Sequence, residues 1–277
     1  MGVLLSLAAA VAYGLSDFIG GLASRRTTAW PVAFLADLGA LIGAVALAVA
    51  IAGSPSVGDL AWGCLAGLGT GIGGAFLYQG MSTGRMGVVG PVSAVGATIV
   101  PVAAGLLGGE RPALLVWLGI AVALPGIWLV SQEPTDNGTE RLAEGLGEGI
   151  LAGLGFGVLF AAMGQVPDGA GYWPLVAAQI VGLVAIAVTA TLLHENWVPR
   201  ARSELWGLPA GVLATVAVFA FLLATQGGLL AIAAVITSLY PAVTILLAAL
   251  VLKEHVHRIQ GAGLALCAGA VVLVAVG

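Results

Sequence analysis

The chain is written in long apolar stretches, each closed by a short knot of glycine, proline or charge. A helix of about 20 mostly apolar residues crosses the hydrocarbon core of a bilayer. Ten such runs can be drawn, at residues 2–23, 30–52, 59–80, 86–108, 112–131, 147–165, 172–193, 204–226, 229–252 and 257–276. Their joints have turn chemistry, as in Gly53-Ser54-Pro55, Gly84-Arg85, Glu110-Arg111-Pro112 and Gly227-Gly228. Only the stretch 131–146 is both long and polar, and it divides the chain near its middle. The runs are continuous and do not alternate, so they predict helices and not the strands of a barrel. The first run reads as a retained span and not a cleaved leader: no basic residue precedes it, and Arg25-Arg26 follow it.

The pattern also repeats. A shift of 143 superposes Gly14 on Gly157, Trp30 on Trp173, Pro31 on Pro174 and Gly39 on Gly182. A shift of 144 superposes Trp62 on Trp206, Gly63 on Gly207, Gly67 on Gly211, Gly84 on Gly228, Glu110 on Glu254 and Gly119 on Gly263. One inserted residue between the second and third spans accounts for the change. Five is odd, so a second half of five spans enters the membrane from the side opposite to the first. The expected fold is an all-α integral membrane protein of ten transmembrane helices arranged as two inverted five-helix repeats. The repeats are residues 1–131 and 147–277, joined by a polar linker at 132–146. Repeats of this kind are the architecture of secondary transporters, with a binding site near the midplane between them.

Charge sharpens the picture. Of 277 residues, 9 are Lys or Arg and 13 are Asp or Glu, so 8% are charged while 60% are apolar. Mean hydropathy is +1.10. A soluble domain is about 25% charged, and no water-facing surface of this size hides so much apolar side chain. A water-soluble enzyme, a nucleic-acid binder and a disordered chain are excluded. Lys253 is the sole lysine, so no Walker loop exists and the chain is not its own ATPase. The cysteines, Cys64 and Cys267, fall in apolar runs and read as small core residues. The loops after spans 1, 3, 5, 7 and 9 hold Arg25, Arg26, Arg85, Arg141, Arg200, Arg202, Lys253 and Arg258, against Arg111 alone on the other side. That bias puts the odd-numbered loops in the cytoplasm and both termini outside.

Ionisable groups inside a span are costly and mark function. Asp17 in span 1 and Asp37 in span 2 lie well inside their runs, both roughly 10 Å below the basic side. They are candidates for a cation or proton site; the structural alternative pairs them with Arg25, Arg26 or Arg85. Ser6, Tyr13, Asp17, Gly20 and Ser24 form one polar stripe on span 1, with Ser16 beside it. On span 3, Gly63, Gly67, Thr70, Gly71, Gly74 and Tyr78 share a face, the glycines reading first as a packing seam. Tyr78 and Gln79 at its far end are cavity candidates, and the matching stretch ending at Gln226 is bulkier. Pro91, Pro101 and Pro241 interrupt spans 4 and 9 and are candidate hinges. Ser93, Thr98, Thr237, Ser238, Tyr240 and Thr244 beside them either line a pocket or bond back onto their own helices. Glu110 and Glu254 read as caps of spans 5 and 10, and Trp30, Trp173, Trp197 and Trp206 as interfacial anchors.

The segment Tyr13-Gly14-Leu15-Ser16-Asp17-Phe18 is similar to an aromatic-Gly-x-Asn-Phe pattern, and Gly109-Glu110-Arg111-Pro112 and Lys253-Glu254 precede spans 5 and 10. In these elements, their order and their duplication, the chain resembles the drug/metabolite transporter superfamily, specifically its ten-helix EamA branch. The resemblance implies transport of a small metabolite, amino-acid-like or another polar solute, frequently outward. It implies a cavity lined by spans 1, 3, 4, 6, 8 and 9, with Tyr13, Asp17, Tyr78, Gln79 and Tyr240 on lining helices and Asp37 and Gln179 more peripheral, at gates. Asp17 stands where the family often has Asn, which favours coupling to a cation. Members are commonly drawn with cytoplasmic termini, the reverse of the charge count.

The leading expectation is a multi-pass transporter of the cell (inner or plasma) membrane that works by alternating access. Its substrate- or ion-binding set is Asp17, Tyr13, Ser16, Tyr78, Gln79, Ser238, Tyr240, Gln226 and Asp37. Its partners are a small-molecule solute and the lipid bilayer, with no nucleic acid. Proton or cation coupling, and monomer against homodimer, stay open. No cofactor and no metal is expected. A lipid or lipid-linked sugar flippase is the rival within transport. An intramembrane enzyme lacks any GxSxG, HExxH or carboxylate cluster, and a purely structural subunit leaves Asp17 without a use.

Overall fold

Hydrocarbon offers no water to a bare peptide group, so apolar runs close their hydrogen bonds within helices. The computed structural model describes residues 1–82, 86–130, 145–226, 229–251 and 258–276, and no strand occurs among them. The first half holds α1 (Gly2–Ser24), α2 (Ala29–Ala50), α3 (Val57–Ser82), α4 (Met86–Leu107) and α5 (Leu114–Val130). The second holds α6 (Leu146–Met163), α7 (Trp173–Leu192), α8 (Gly207–Gln226), α9 (Leu230–Thr237), α10 (Tyr240–Val251) and α11 (Arg258–Val276). Seven segments are long and apolar enough to cross a membrane, α9 and α10 counting as one; shorter apolar helices lie within α4, α5 and α11. Leu4, Ile42, Val49, Leu68, Val188 and Val272 are exposed, as lipid-facing side chains are. Arg85, Arg141, Lys253, Glu254, His255, His257, the joints Gly84-Arg85 and Gly227-Gly228, nearly all of the polar stretch 131–146 and the side chain of Pro91 lie outside the described residues.

The closest packing runs between the halves and not within them. Helix α1 packs on α8 as α6 packs on α3, and α2 on α8 as α7 on α3. Helix α4 lies on α6 as α9 and α10 lie on α1, while α5 meets α11 and α2 meets α7. Exchanging each helix for its counterpart in the other half converts this set of contacts into itself.

Glycine makes the seam possible. A Cβ at Gly63, Gly67 or Gly71 of α3 would fall on the carbonyls of Pro174, Ala178 or Gly182 of α7. The same zipper recurs on α8, where Gly207 and Gly211 lie on the carbonyls of Val32 and Ala36 of α2. Thr215 takes the third place and donates its hydroxyl to the Ala40 carbonyl at 2.9 Å. Small residues let helices approach closely where no hydrophobic force drives them together.

Several details depart from the sequence reading. The ninth run is one span with a broken helix and not a continuous kinked one. Pro241 has no N–H to offer the carbonyl four residues back, and the helix breaks at Ser238-Leu239 before restarting at Tyr240. Helix α4, by contrast, runs on through Pro101. Trp30 is not an interfacial anchor: it is 1% exposed and meets the Phe76 ring edge-on at 5.9 Å. Trp173 and Trp206 are exposed. Cys64 is exposed and only Cys267 is buried.

Glu110 does not cap the helix that follows it. Gly109, at φ +96°, closes α4 with a left-handed turn in which the Glu110 N–H reaches the Gly105 carbonyl at 2.9 Å. That turn sends the Glu110 carboxylate across to the other half. There it accepts the N–H groups of Leu230 (2.6 Å) and Ala231 (3.1 Å) at the start of α9. Two of the α9 amino-terminal donors and the positive end of its dipole are met by one charge. Glu110→Ala is expected to lower stability by about 2 kcal/mol, and Glu110→Gln by less, because an amide oxygen still accepts. Thermal unfolding of the purified protein in detergent checks the order; equal losses for both would show that α9 requires the charge and that an accepting oxygen alone contributes nothing.

Candidate functional site

Where the seams hold the halves together, the helices between them leave a cavity. Helix α1 contributes Tyr13, Ser16 and Asp17, and α2 contributes Asp37 among the alanines at 33, 36 and 40. Helix α3 adds Thr70, Gly74 and Tyr78; α6 adds Phe156 and Phe160; α7 adds Gln179; α10 adds Tyr240. Among the described residues no Lys, Arg or His lines it. It gives about 60 Å³ to the centres of water-sized molecules. One water needs roughly 10–15 Å³ on that measure, so a few waters fit and a metabolite requires the walls to part.

The lining is symmetric in position and asymmetric in chemistry. The shift of 143 carries Tyr13 and Asp17 onto Phe156 and Phe160, which also face the cavity. The shift of 144 carries Thr70 and Gly74 onto Ala214 and Val218, lining residues again. At these four places the first half supplies Tyr13, Asp17, Thr70 and Gly74 and the second half only apolar side chains, while Gln179 and Tyr240 add polar groups from the second half elsewhere on the wall.

Hydrogen bonds fix part of this wall and leave part of it unmet. Ser16 donates to the Ala210 carbonyl of α8 at 2.8 Å and hydrogen-bonds with Tyr78. The Tyr78 hydroxyl end lies where a Cβ at Gly20 would be, so the glycine gives it room. Ser93 of α4 and the Tyr240 hydroxyl of α10 are 2.9 Å apart, a bond between the halves. Tyr13 sits edge-on to Phe160 at 5.7 Å and tilted to Tyr240 at 6.3 Å. Asp17 is 6% exposed and shares the wall with Tyr13, Tyr78 and Tyr240. Arg25 and Arg26 are exposed, and among the described residues no cation pairs with Asp17 or Asp37. Tyr13 Oη, Asp37 Oδ2 and Gln179 Oε1 are buried without a partner. An unmet buried polar atom costs about 1–3 kcal/mol; three of them on one wall describe a space meant for water or a ligand.

The sequence candidates divide accordingly. Tyr13, Ser16, Asp17, Asp37, Tyr78 and Tyr240 come together on the cavity wall. Gln226 is exposed at the end of α8, and Gln79 is half-buried away from the wall. Ser238 is fully buried in the α9–α10 break, unpartnered, and does not line the cavity. Pro101 and Pro241 are buried. Thr98 bonds back to Ala94 at 2.8 Å, and Thr244 reaches the Gly14 carbonyl of α1 at 3.3 Å. Gln179 was placed at a gate by the resemblance and stands on the wall itself, as does Asp37. The spacing gave one clue to this: Gln179 is three residues from Gly182, the glycine that matches Gly39 in the repeat. Among the described residues no group of three His, Cys, Asp or Glu could hold a metal.

Paired halves around a largely apolar chamber that carries a few polar groups, within a helical membrane protein, fit a multi-pass membrane transporter. The chain belongs to the EamA-like transporter family, which matches residues 1–132 and again residues 145–276. It is therefore a transporter of the drug/metabolite transporter superfamily, for a small-molecule solute across a lipid bilayer. A solved crystal structure of a protein 18% identical shares the fold, with a TM-score of 0.68 and 95% of each chain covered. No curated protein matches the chain significantly.

Gly74 faces open space, whereas Ala66 is fully buried on the same helix. With Cys64 and Cys267 replaced by Ala, a cysteine at position 74 is expected to react with a small water-soluble thiol reagent in intact membranes, and one at position 66 is not. Equal protection of both would mean that the chamber is dry.

Proposed function

We propose that the protein is a secondary transporter that moves a small polar solute through this cavity by alternating access. Two inverted five-helix halves, residues 1–131 and 147–277 with the linker 132–146, rock against one another in the cell membrane. The swap-symmetric packing supports this reading, since two equivalent halves can exchange conformations and with them the open side. The α9–α10 break at Pro241 is the natural hinge, with the prolines of α4 in the equivalent helix of the other half. The eight-to-one bias of basic residues puts the odd-numbered loops in the cytoplasm.

The observation that carries the proposal is Asp17, a buried carboxylate without a cationic partner among the described residues, on the same cavity wall as three phenols and several unmet polar atoms. A wall with two carboxylates and, among the described residues, no positive side chain favours a solute that brings an ammonium group, and the rings offer it π faces. Asp17 binds that group or a coupled proton; Tyr13, Tyr78 and Tyr240 hold the remainder.

Uptake of labelled metabolites into proteoliposomes, with and without a pH gradient, tests this. Asp17→Asn is expected to cut transport at least roughly tenfold, as loss of a buried charged contact does. Transport and gradient dependence equal to wild type would remove Asp17 from the mechanism. Cysteine labelling of either terminus from outside intact cells checks orientation, with accessible termini expected.

A further inference from the structure

The α2–α7 wall carries a second polar cluster that the Asp17 and tyrosine group does not use. Asp37 is 7% exposed and Gln179 is 3% exposed, yet Asp37 Oδ2 and Gln179 Oε1 have no partner. The Asp37 carboxylate lies against Gly182, in the place where any side chain on that residue would stand. Gln179 is three residues earlier on α7, and side chains at that spacing share a face. Gly71 of α3 packs on the Gly182 carbonyl, and its neighbour Thr70 lines the cavity beside Asp37 and Gln179. Three helices thus bring oxygens to one wall of the cavity, with a single carboxylate among them and, among the described residues, no positive side chain on the lining.

We infer that Asp37, Gln179 and Thr70 form a binding site for a sodium ion, separate from the Asp17 cluster. All of the ligand atoms are hard oxygens, which suit a hard cation. One carboxylate is too little charge for an all-protein divalent site, and no described cluster supplies more. The other lining residues of α2 and α7 are Ala33, Ala36, Ala40 and Ile186, so this wall presents no ring to an organic ammonium. The small free volume fits a bare ion whose remaining ligands are waters. The site deepens the transport reading by naming a coupling ion, and it rests on that reading only for what the bound ion does.

The test uses the purified full chain in detergent, with NaCl exchanged for choline chloride at constant ionic strength. Sodium is expected to raise the thermal unfolding midpoint saturably, and choline is not. Asp37→Asn and Gln179→Leu are each expected to weaken that response at least about tenfold in sodium concentration. Asp17→Asn is expected to keep it, so a failed Asp17 transport assay and a failed sodium site are read separately. Should Asp37→Asn not yield a monodisperse protein, Gln179→Leu and Thr70→Val carry the comparison. A wild-type protein indifferent to sodium would overturn the proposal, and so would a response that survives Gln179→Leu and Thr70→Val. Indifference is the result expected if Gln179 only donates its amide to Asp37, or if the two share a proton.

Discussion

The structure depends on backbone meeting backbone at two equivalent places. On the α3–α7 seam three glycines of α3 spaced four residues apart lie on carbonyls of α7, and on the α8–α2 seam Gly207, Gly211 and Thr215 do the same to α2. In lipid, apolar side chains gain little by leaving their surroundings, so contact comes from close packing and from polar contacts between helices. These seams hold α2 and α7 hard against the other half. That position turns Asp37 and Gln179 into cavity residues and denies them a place at the periphery.

Polar atoms elsewhere in the spans are mostly disposed of locally. Ser6, Ser24 and Thr98 return their hydroxyls to their own helices. Around the chamber the economy differs: Ser16 and Ser93 tie one half to the other, while Tyr13, Asp37 and Gln179 keep unmet atoms. The positional twofold supplies matching walls, and the replacement of Tyr13 and Asp17 by Phe156 and Phe160 on the other side makes those equivalent places chemically unlike.

Much of this was legible in the sequence because its physics is local. Apolar runs of bilayer length give helices, and the family match follows the same duplication that Trp30 and Trp173, or Gly67 and Gly211, display. The buried stripe of α1 could be read from spacing alone. What stayed hidden depends on which helix neighbours which. Glu110 stands before α5 in the chain, and only the tertiary arrangement brings it to α9. Trp30 has the composition of an interfacial anchor, and only the neighbouring Phe76 makes it a core residue. Pro241 signals a disturbance, but whether a helix kinks, breaks or runs on, as α4 does through Pro101, is decided by what surrounds the freed carbonyls.

The Glu110 contact bears on how the chain is made. Its acceptor and the donors of α9 are 120 residues apart in sequence. At about 5–20 residues per second of synthesis, roughly 6–24 s pass before the ribosome delivers the partner. The main neighbours of α1, which are α8, α9 and α10, also emerge late. The first five helices therefore leave the ribosome with their glycine faces and the Glu110 carboxylate still vacant. The nascent half must be sheltered by the insertion machinery or by lipid until its twin arrives, and assembly of the pair is a post-insertion event.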